Sequence, residues 1–182
     1  MELSRKKAWD LLNKYVSSLS LIKHSLAVEA AMKAGASYYK EDVLKWGICG
    51  LLHDLDFEKF PQKHPLEGVR ILKELGYPND IIEAILGHAE TTGVLRKSLM
   101  AKYLYSVDEL CGFLMALAYV RPDHFKEMTA DSVKKNLKKK GFAEKISREE
   151  IEKGILELGV DKDSHFNRVI KALEGISKEL GF

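Results

Sequence analysis

Apolar residues recur along almost the whole chain at intervals of three and four positions, the spacing that places them on one side of an α-helix. Only four prolines occur among the 182 residues, and runs of β-branched residues are few. No segment shows the convincing alternation of apolar and polar residues that indicates a half-buried strand. The pattern therefore predicts an all-α fold.

Capping residues, glycines and prolines divide this pattern into separate helices. The hydroxyls between Ser17 and Ser20 are candidate helix caps, Ser147 to Glu150 has the spacing of a capping box, and Gly76-Tyr77-Pro78 is expected to stop a helix and form a turn. The predicted helices cover approximately residues 5–16, 21–33, 41–54, 65–75, 81–89, 98–119, 147–158 and 163–180.

The length and the hydrophobic content of 46% allow one sizeable core and are too small for two ordinary domains. We therefore expect a single domain over residues 1–182, with its core at about 19–120 and a C-terminal helical extension at about 121–182 packed on that core. The basic residues from Lys134 to Lys140 could extend a surface for an anionic substrate. They also alternate with apolar residues, as on the solvent-exposed face of an amphipathic helix, so they are assigned no role.

Composition also bears on where the protein works and on its partners. Lysine and arginine number 29 against 27 acidic residues, and a net charge of +2 argues against dedicated nucleic-acid binding. No secretory signal is recognised, so Cys49 and Cys111 are expected to be reduced thiols in a cytoplasmic protein. The most apolar stretch, residues 107–120, is too short to span a bilayer, so no membrane role is expected. The protein is expected to be a monomer or a homodimer.

Four of the six histidines lie in the first half of the chain, each in a different predicted element: His24, His53, His64 and His88. Ligands of a metal ion in a helical bundle converge in this way from separate helices. A single helical histidine is more often a surface or core residue than a ligand, so the inference depends on the whole set.

Two aspartates strengthen the case for a metal site. Asp54 follows His53 at the C-terminal end of a predicted helix, where a carboxylate is disfavoured unless a cation neutralises it. Asp108 lies within a strongly apolar helix, and a buried carboxylate without a partner would cost several kcal/mol. We therefore expect Asp108 to face a metal ion.

The ordered set of His24, His53-Asp54 and Asp108 resembles the histidine, histidine-aspartate, aspartate signature of the HD superfamily of metal-dependent phosphohydrolases. The resemblance covers about residues 19–119 and includes the small apolar run Cys49-Gly50-Leu51-Leu52 before the doublet. It implies an HD-domain helical bundle with additional C-terminal helices.

Two further histidines, His64 and His88, match the additional histidines of superfamily members that hold two metals. The resemblance then implies that Asp54 bridges the ions, that His24, His53 and Asp108 complete one site, and that His64 and His88 serve the other. The implied cofactor is one or two divalent transition-metal ions, manganese, iron, nickel, cobalt or zinc, with magnesium as a further candidate.

The chain departs from the cyclic-di-GMP phosphodiesterase branch of the superfamily. That branch has a lysine three residues after the aspartate, where this chain has Phe57, and the Gly76-Tyr77-Pro78 sequence precedes His88 instead of following it. Cyclic-di-GMP is therefore not a favoured substrate. The segment from Asp54 to Pro61 instead resembles a small stand-alone group of predicted HD hydrolases.

The working hypothesis is hydrolysis of a phosphate ester, a nucleotide or a related small phosphorylated metabolite, by a metal-activated water. Candidate catalytic residues are Asp54, with Glu58 or Asp56 to orient water, and Lys59. Lys59, Lys63 and Arg70 are candidates to bind the substrate phosphate, although a charged residue in such a position is more often an ordinary solvated charge.

Two alternatives remain open from the sequence. Some HD-fold proteins with a similar histidine set use a mixed-valent di-iron centre to oxidise small organic substrates. A non-catalytic module that binds a nucleotide is the third possibility, although a degenerate module would be free to lose the motif ligands that this chain retains.

Overall fold

The structure is a computed structural model that describes residues 2–182, and this part of the chain contains helices and no strand. The predicted all-α fold is confirmed. In chain order the ten α-helices are α1 (Arg5–Tyr15), α2 (Leu19–Tyr39), α3 (Val43–Leu52), α4 (Leu66–Glu74), α5 (Asn79–His88), α6 (Leu99–Val120), α7 (Ala130–Leu137), α8 (Arg148–Leu158), α9 (Lys162–Glu174) and α10 (Ser177–Leu180).

The centre of the bundle is formed by α2, α3 and α6. Helix α2 packs along α3 and also contacts α6 and α9, while α6 contacts α5 and α8. The backbones of α2 and α3 approach closely at Gly50, where a Cβ atom would lie 2.8 Å from the carbonyl oxygen of Val28. This close approach brings the middle of α2 next to the end of α3, where several of the candidate ligands lie.

Helix α6 has the length and hydropathy of a membrane span, but 67% of the apolar segment is buried inside the protein. Fourteen of its residues are buried, and its neighbours α2, α5 and α8 cover it. The burial identifies α6 as the core helix of the bundle.

The segment after Arg121 packs on this core through α8 and α9. Helix α8 lies against α6 at Gly154, where a Cβ atom would come within 2.7 Å of the Cα atom of Ser106. A clash with backbone atoms cannot be relieved by a rotamer change, so this contact needs glycine. At the start of α8, the backbone N–H of Ser147 donates to the Glu109 carboxylate over 2.7 Å.

Most predicted helix boundaries are close to the observed ones, but α2 is longer than expected and ends at Tyr39. Gly35 and Ser37 lower the helix propensity there. Packing overrides this tendency, because Gly35 lies against the ring of Tyr103, at a distance that leaves no space for a Cβ atom. Lys40, in the left-handed conformation, then ends the helix.

The C-terminal part differs from the prediction in two places. Helix α7 was given no bounds from the sequence, although an amphipathic helix was considered for the basic stretch that overlaps it; it begins after Thr129, whose capping box with Ser132 is complete. The last predicted helix is divided in two, because α9 ends at Glu174 with Gly175 as its C-cap, and α10 begins at Ser177. Ser147 caps α8 as expected, by accepting a hydrogen bond from the Glu150 backbone N–H.

Both cysteines are free and buried, as predicted, and burial raises the pKa of each thiol. Gly76 has a φ of 75° after α4, which explains why this helix stops there. His165, one of the two histidines outside the metal signature, is fully buried and its ring lies edge-on against Tyr103.

Candidate metal centre

The imidazole of His53 is directed into the centre of the candidate site from the end of α3. The residue is the C-cap of this helix and is fully buried. Its Nδ1 atom donates to the carbonyl oxygen of Gly50 over 2.8 Å, so the tautomer with a free Nε2 lone pair is favoured. This buried Nε2 atom has no hydrogen-bond partner within the described residues. A buried nitrogen lone pair without a hydrogen-bond partner is the arrangement expected of a metal ligand.

A first group of ligand atoms surrounds this nitrogen. Asp108 Oδ1 lies 3.3 Å from His53 Nε2 and 2.9 Å from Nε2 of His24, which comes from α2. Asp54 Oδ2 lies 3.3 Å from His53 Nε2 and 3.9 Å from His24 Nε2. Three helices and the turn after α3 therefore direct four side chains to one point.

A second group uses the other oxygen of the same aspartate. Asp54 Oδ1 lies 3.5 Å from Nε2 of His64 and 3.4 Å from Nε2 of His88. Asp54 thus presents one carboxylate oxygen to each group, which is the arrangement of a bridging ligand.

The distances fit a cation with about six ligands. A metal–ligand bond of about 2.1 Å places neighbouring ligand atoms of an octahedron about 3.0 Å apart. The contacts within the two groups range from 2.9 to 3.9 Å. Imidazole nitrogens mixed with carboxylate oxygens suit manganese, iron, cobalt, nickel or zinc. The residues present therefore fit a divalent transition-metal ion.

The two histidines of the second group are held by their Nδ1 atoms, as His53 is. His88 donates to the carbonyl oxygen of Ile85 over 2.5 Å, and His64 donates to Asp56 Oδ1 over 2.8 Å. Both rings consequently turn Nε2 towards Asp54. Hydrogen bonds of this type fix the tautomer and the ring orientation of metal ligands.

Asp56 is fully buried, and its second oxygen accepts the backbone N–H of Gly68 over 2.6 Å. A Cβ atom at Gly68 would lie 3.1 Å from the Asp56 carboxyl carbon, so glycine allows helix α4 to approach this carboxylate. Sequence reasoning considered Asp56 only for orienting water; the structure shows that it positions His64.

The charges of the site perturb one another strongly. Burial raises the pKa of Asp108, but His53 and His24 lower it by more, so the pKa of this carboxyl group is far below its ordinary value. Burial likewise raises the pKa of Asp54, but His53 and His88 lower it by more, so it too lies well below its ordinary value. Burial lowers the pKa of His53, whereas Asp54 and Asp108 raise it well above the ordinary value, so a cation that binds Nε2 takes the place of a proton there. Both aspartates are therefore ionised at neutral pH, as metal ligands must be.

The two groups lie at the base of a cleft of about 820 Å³, and five of the six candidate ligands line it: His24, Asp54, His64, His88 and Asp108. Apolar residues of α6, including Met115 and Ala116, form part of its wall. Lys145, Ile146 and Glu150, from the C-terminal extension, line it as well. A cleft of this size accommodates a small organic molecule.

The four other predicted site residues, Glu58, Lys59, Lys63 and Arg70, do not line the cleft. The Glu58 carboxylate accepts the backbone N–H groups of Ser17 and Ser18, and so holds the two residues that precede α2. The Lys59 ammonium group donates to the carbonyl oxygen of Lys14. These contacts favour structural roles, and the predicted catalytic roles of Glu58 and Lys59 remain predictions.

The predicted phosphate-binding residues Lys63 and Arg70 are exposed and do not line the cleft. Arg70 forms ion pairs with Glu67 and Glu74 on its own helix. Lys145 is the only lysine or arginine among the described residues that line the cleft. Sequence reasoning missed it, because it lies 37 positions after Asp108 in a segment that carries no motif.

The comparison with protein-family models matches residues 21–178 to the HD domain. The match includes all six candidate ligands and also α8 and α9 of the C-terminal extension. Neither a curated protein nor a solved structure shows significant similarity to the chain.

Proposed function

Because the chain belongs to the HD-domain family, we propose that it is a metal-dependent hydrolase of phosphate esters. One observation carries the proposal: two groups of ligand atoms share Asp54 at the base of a cleft that a small substrate can enter. The proposed substrate is a small phosphorylated molecule, a nucleotide or a related metabolite, and the proposed location is the cytoplasm.

Each ligand has a proposed role that follows from its contacts. His24, His53 and Asp108 hold one divalent ion, His64 and His88 hold a second, and Asp54 joins the two sites. When bound, the ions lower the pKa of a water molecule and neutralise charge on the phosphoryl oxygens.

The chain itself contributes position and a hydrogen-bond acceptor. Asp54 has its two oxygens directed at the two groups, so it accepts a hydrogen bond from the attacking water and orients it towards phosphorus. Attack forms a new P–O bond and breaks the bond to the ester oxygen; the water gives up one proton to solvent and the leaving alkoxide takes up one, so no proton is gained or lost overall. Lys145 places a positive charge at the cleft, where it attracts the anionic phosphate.

The test combines metal analysis with an assay. Protein purified without chelators should contain transition metal and hydrolyse an aryl phosphomonoester or phosphodiester when manganese is added. Asp54→Ala should lose both bound metal and hydrolysis with little change in helix content. Full metal retention by Asp54→Ala would refute the site.

His124→Asn provides the control. His124 does not line the cleft, and its φ of 50° is tolerated by asparagine. This variant should keep both metal and activity. Bound iron without hydrolysis, together with oxygen-dependent turnover of an organic substrate, would instead support the di-iron oxygenase, and a metal-free protein would support the binding module.

A further inference from the structure

The carboxylates along the wall of the cleft differ in how their charge is compensated. Glu90 forms ion pairs with Arg96 at 2.9 Å and with Lys153 at 2.8 Å. Glu109 accepts the backbone N–H of Ser147. Glu150 also lines the cleft, but it forms no ion pair within residues 2–182.

The position of Glu150 follows from the packing of α8 on α6. Glu150 is one turn before Gly154, so both residues lie on the same face of α8. Gly154 holds this face against the backbone of Ser106, and Ser106 is two residues before Asp108 on α6. This contact holds the α8 backbone at Glu150 in place, and the Glu150 side chain lines the cleft together with Asp108.

The surroundings of Glu150 disfavour a further negative charge. Burial and the neighbouring carboxylates of Asp108 and Glu90 raise its pKa. A second phosphate group in this part of the cleft would be repelled by the Glu150 carboxylate. Among the described lining residues, only Lys145 carries a positive lysine or arginine charge that could balance this repulsion. A cationic group would instead form a charge-assisted hydrogen bond with this carboxylate.

We propose that Glu150 is a specificity-determining residue, and that the cleft selects a phosphate ester whose alcohol part carries an amino group. The phosphate is bound at the base of the cleft, and the ammonium group pairs with Glu150 against the apolar surface of Met115 and Ala116. This inference depends on the proposed function for the position of the phosphate, but its test does not require turnover.

The experiment measures binding to the manganese-loaded protein by calorimetry. The probes are 2-aminoethyl-, 3-aminopropyl- and 4-aminobutylphosphonate, which are not hydrolysed, each compared with the alkylphosphonate of the same chain length. The best aminoalkylphosphonate should bind about tenfold more tightly than its alkyl counterpart, because a hydrogen bond between charged groups in a partly buried site has roughly this effect.

Glu150→Gln should reduce this ratio to about one to threefold, since the amide keeps the shape and loses the charge. Glu149→Gln is the matched control, because Glu149 is the exposed preceding residue on the same helix and should leave the ratio unchanged. A wild-type ratio near one for all three lengths would overturn the inference, and so would a tenfold ratio that persists in folded Glu150→Gln.

The outcomes separate this inference from the proposed function. If alkylphosphonates bind and the amino group adds nothing, only the inference on Glu150 fails. If the manganese-loaded protein binds no phosphonate of either kind, the proposed phosphate site fails, and the inference fails with it.

Discussion

Replacing Asp56 with asparagine should weaken one metal site and spare the other. The buried Asp56 carboxylate accepts two hydrogen bonds, from His64 Nδ1 and from the backbone N–H of Gly68. Asparagine has nearly the same shape but only one acceptor oxygen. If this oxygen keeps the Gly68 contact, the amide NH2 group faces His64 Nδ1, and two donors then oppose each other.

The magnitude follows from these two contacts. His64 avoids the clash by moving its proton to Nε2 or by rotating, and either change removes the lone pair directed at Asp54. Loss of such an orienting partner weakens metal binding about 10–100-fold. A buried hydrogen bond that is broken costs about 1–3 kcal/mol of the free energy of unfolding.

Calorimetric titration of metal-free protein with manganese measures both sites. For Asp56→Asn we expect the site of His64 and His88 to lose about 10–100-fold in affinity, while the site of His24, His53 and Asp108 changes little. Asp10→Asn is the control, because Asp10 forms an exposed ion pair with Lys6. Equal weakening of both sites would show that the lost charge is responsible, and an unchanged second site would refute the orienting role of Asp56.

Three further predictions concern the cleft and the core. Lys145→Ala should raise KM for a phosphate ester several-fold and leave metal content unchanged, whereas an unaltered KM would exclude contact with the phosphate. Gly154→Ala should lower the free energy of unfolding by about 1–3 kcal/mol, because its Cβ atom meets backbone; Gly112→Ala, whose Cβ atom has space at 3.5 Å from Ile146, should be neutral or stabilising. Burial lowers the pKa of His165 from 6.5 to about 4, so the unfolded chain binds its proton first, and the stability present above pH 6.5 is lost as the pH falls towards 4. Denaturant unfolding at pH 7 and pH 5 should show a smaller pH dependence in His165→Gln, and an identical dependence would contradict this linkage.

The helices and the convergence of the six candidate ligands were predictable because they depend on local or ordered sequence features. Periodic apolar residues indicated nearly all the helices. The candidate ligands stood out as residue types that are costly in their predicted settings, such as a carboxylate within the apolar sequence around Asp108. The order of the histidines and aspartates along the chain then resembled a known signature.

Roles that depend on contacts between distant segments could not be predicted. Glu58 and Lys59 follow the histidine-aspartate doublet closely, yet the turn after α3 directs them to the start of α2 and the end of α1. Asp56 differs from Glu58 and Lys59 because its carboxylate contacts His64 and the backbone of Gly68 on α4. The position of Glu150 in the cleft depends on the docking of α8, for which the sequence offers no local signal.

The contact between Glu58 and the two serines joins two segments that are far apart in the chain. The turn that follows α3 carries Asp54 and Asp56, and Glu58 in the same turn holds the backbone N–H groups of Ser17 and Ser18, just before the helix that carries His24. Fraying of the start of α2 therefore requires release of this turn, and the two segments open as one cooperative unit. Cations that bind Asp54 and His24 would slow hydrogen exchange at Ser17 and Ser18, although neither serine is a ligand, because the local opening that exposes these amides also dismantles the metal site.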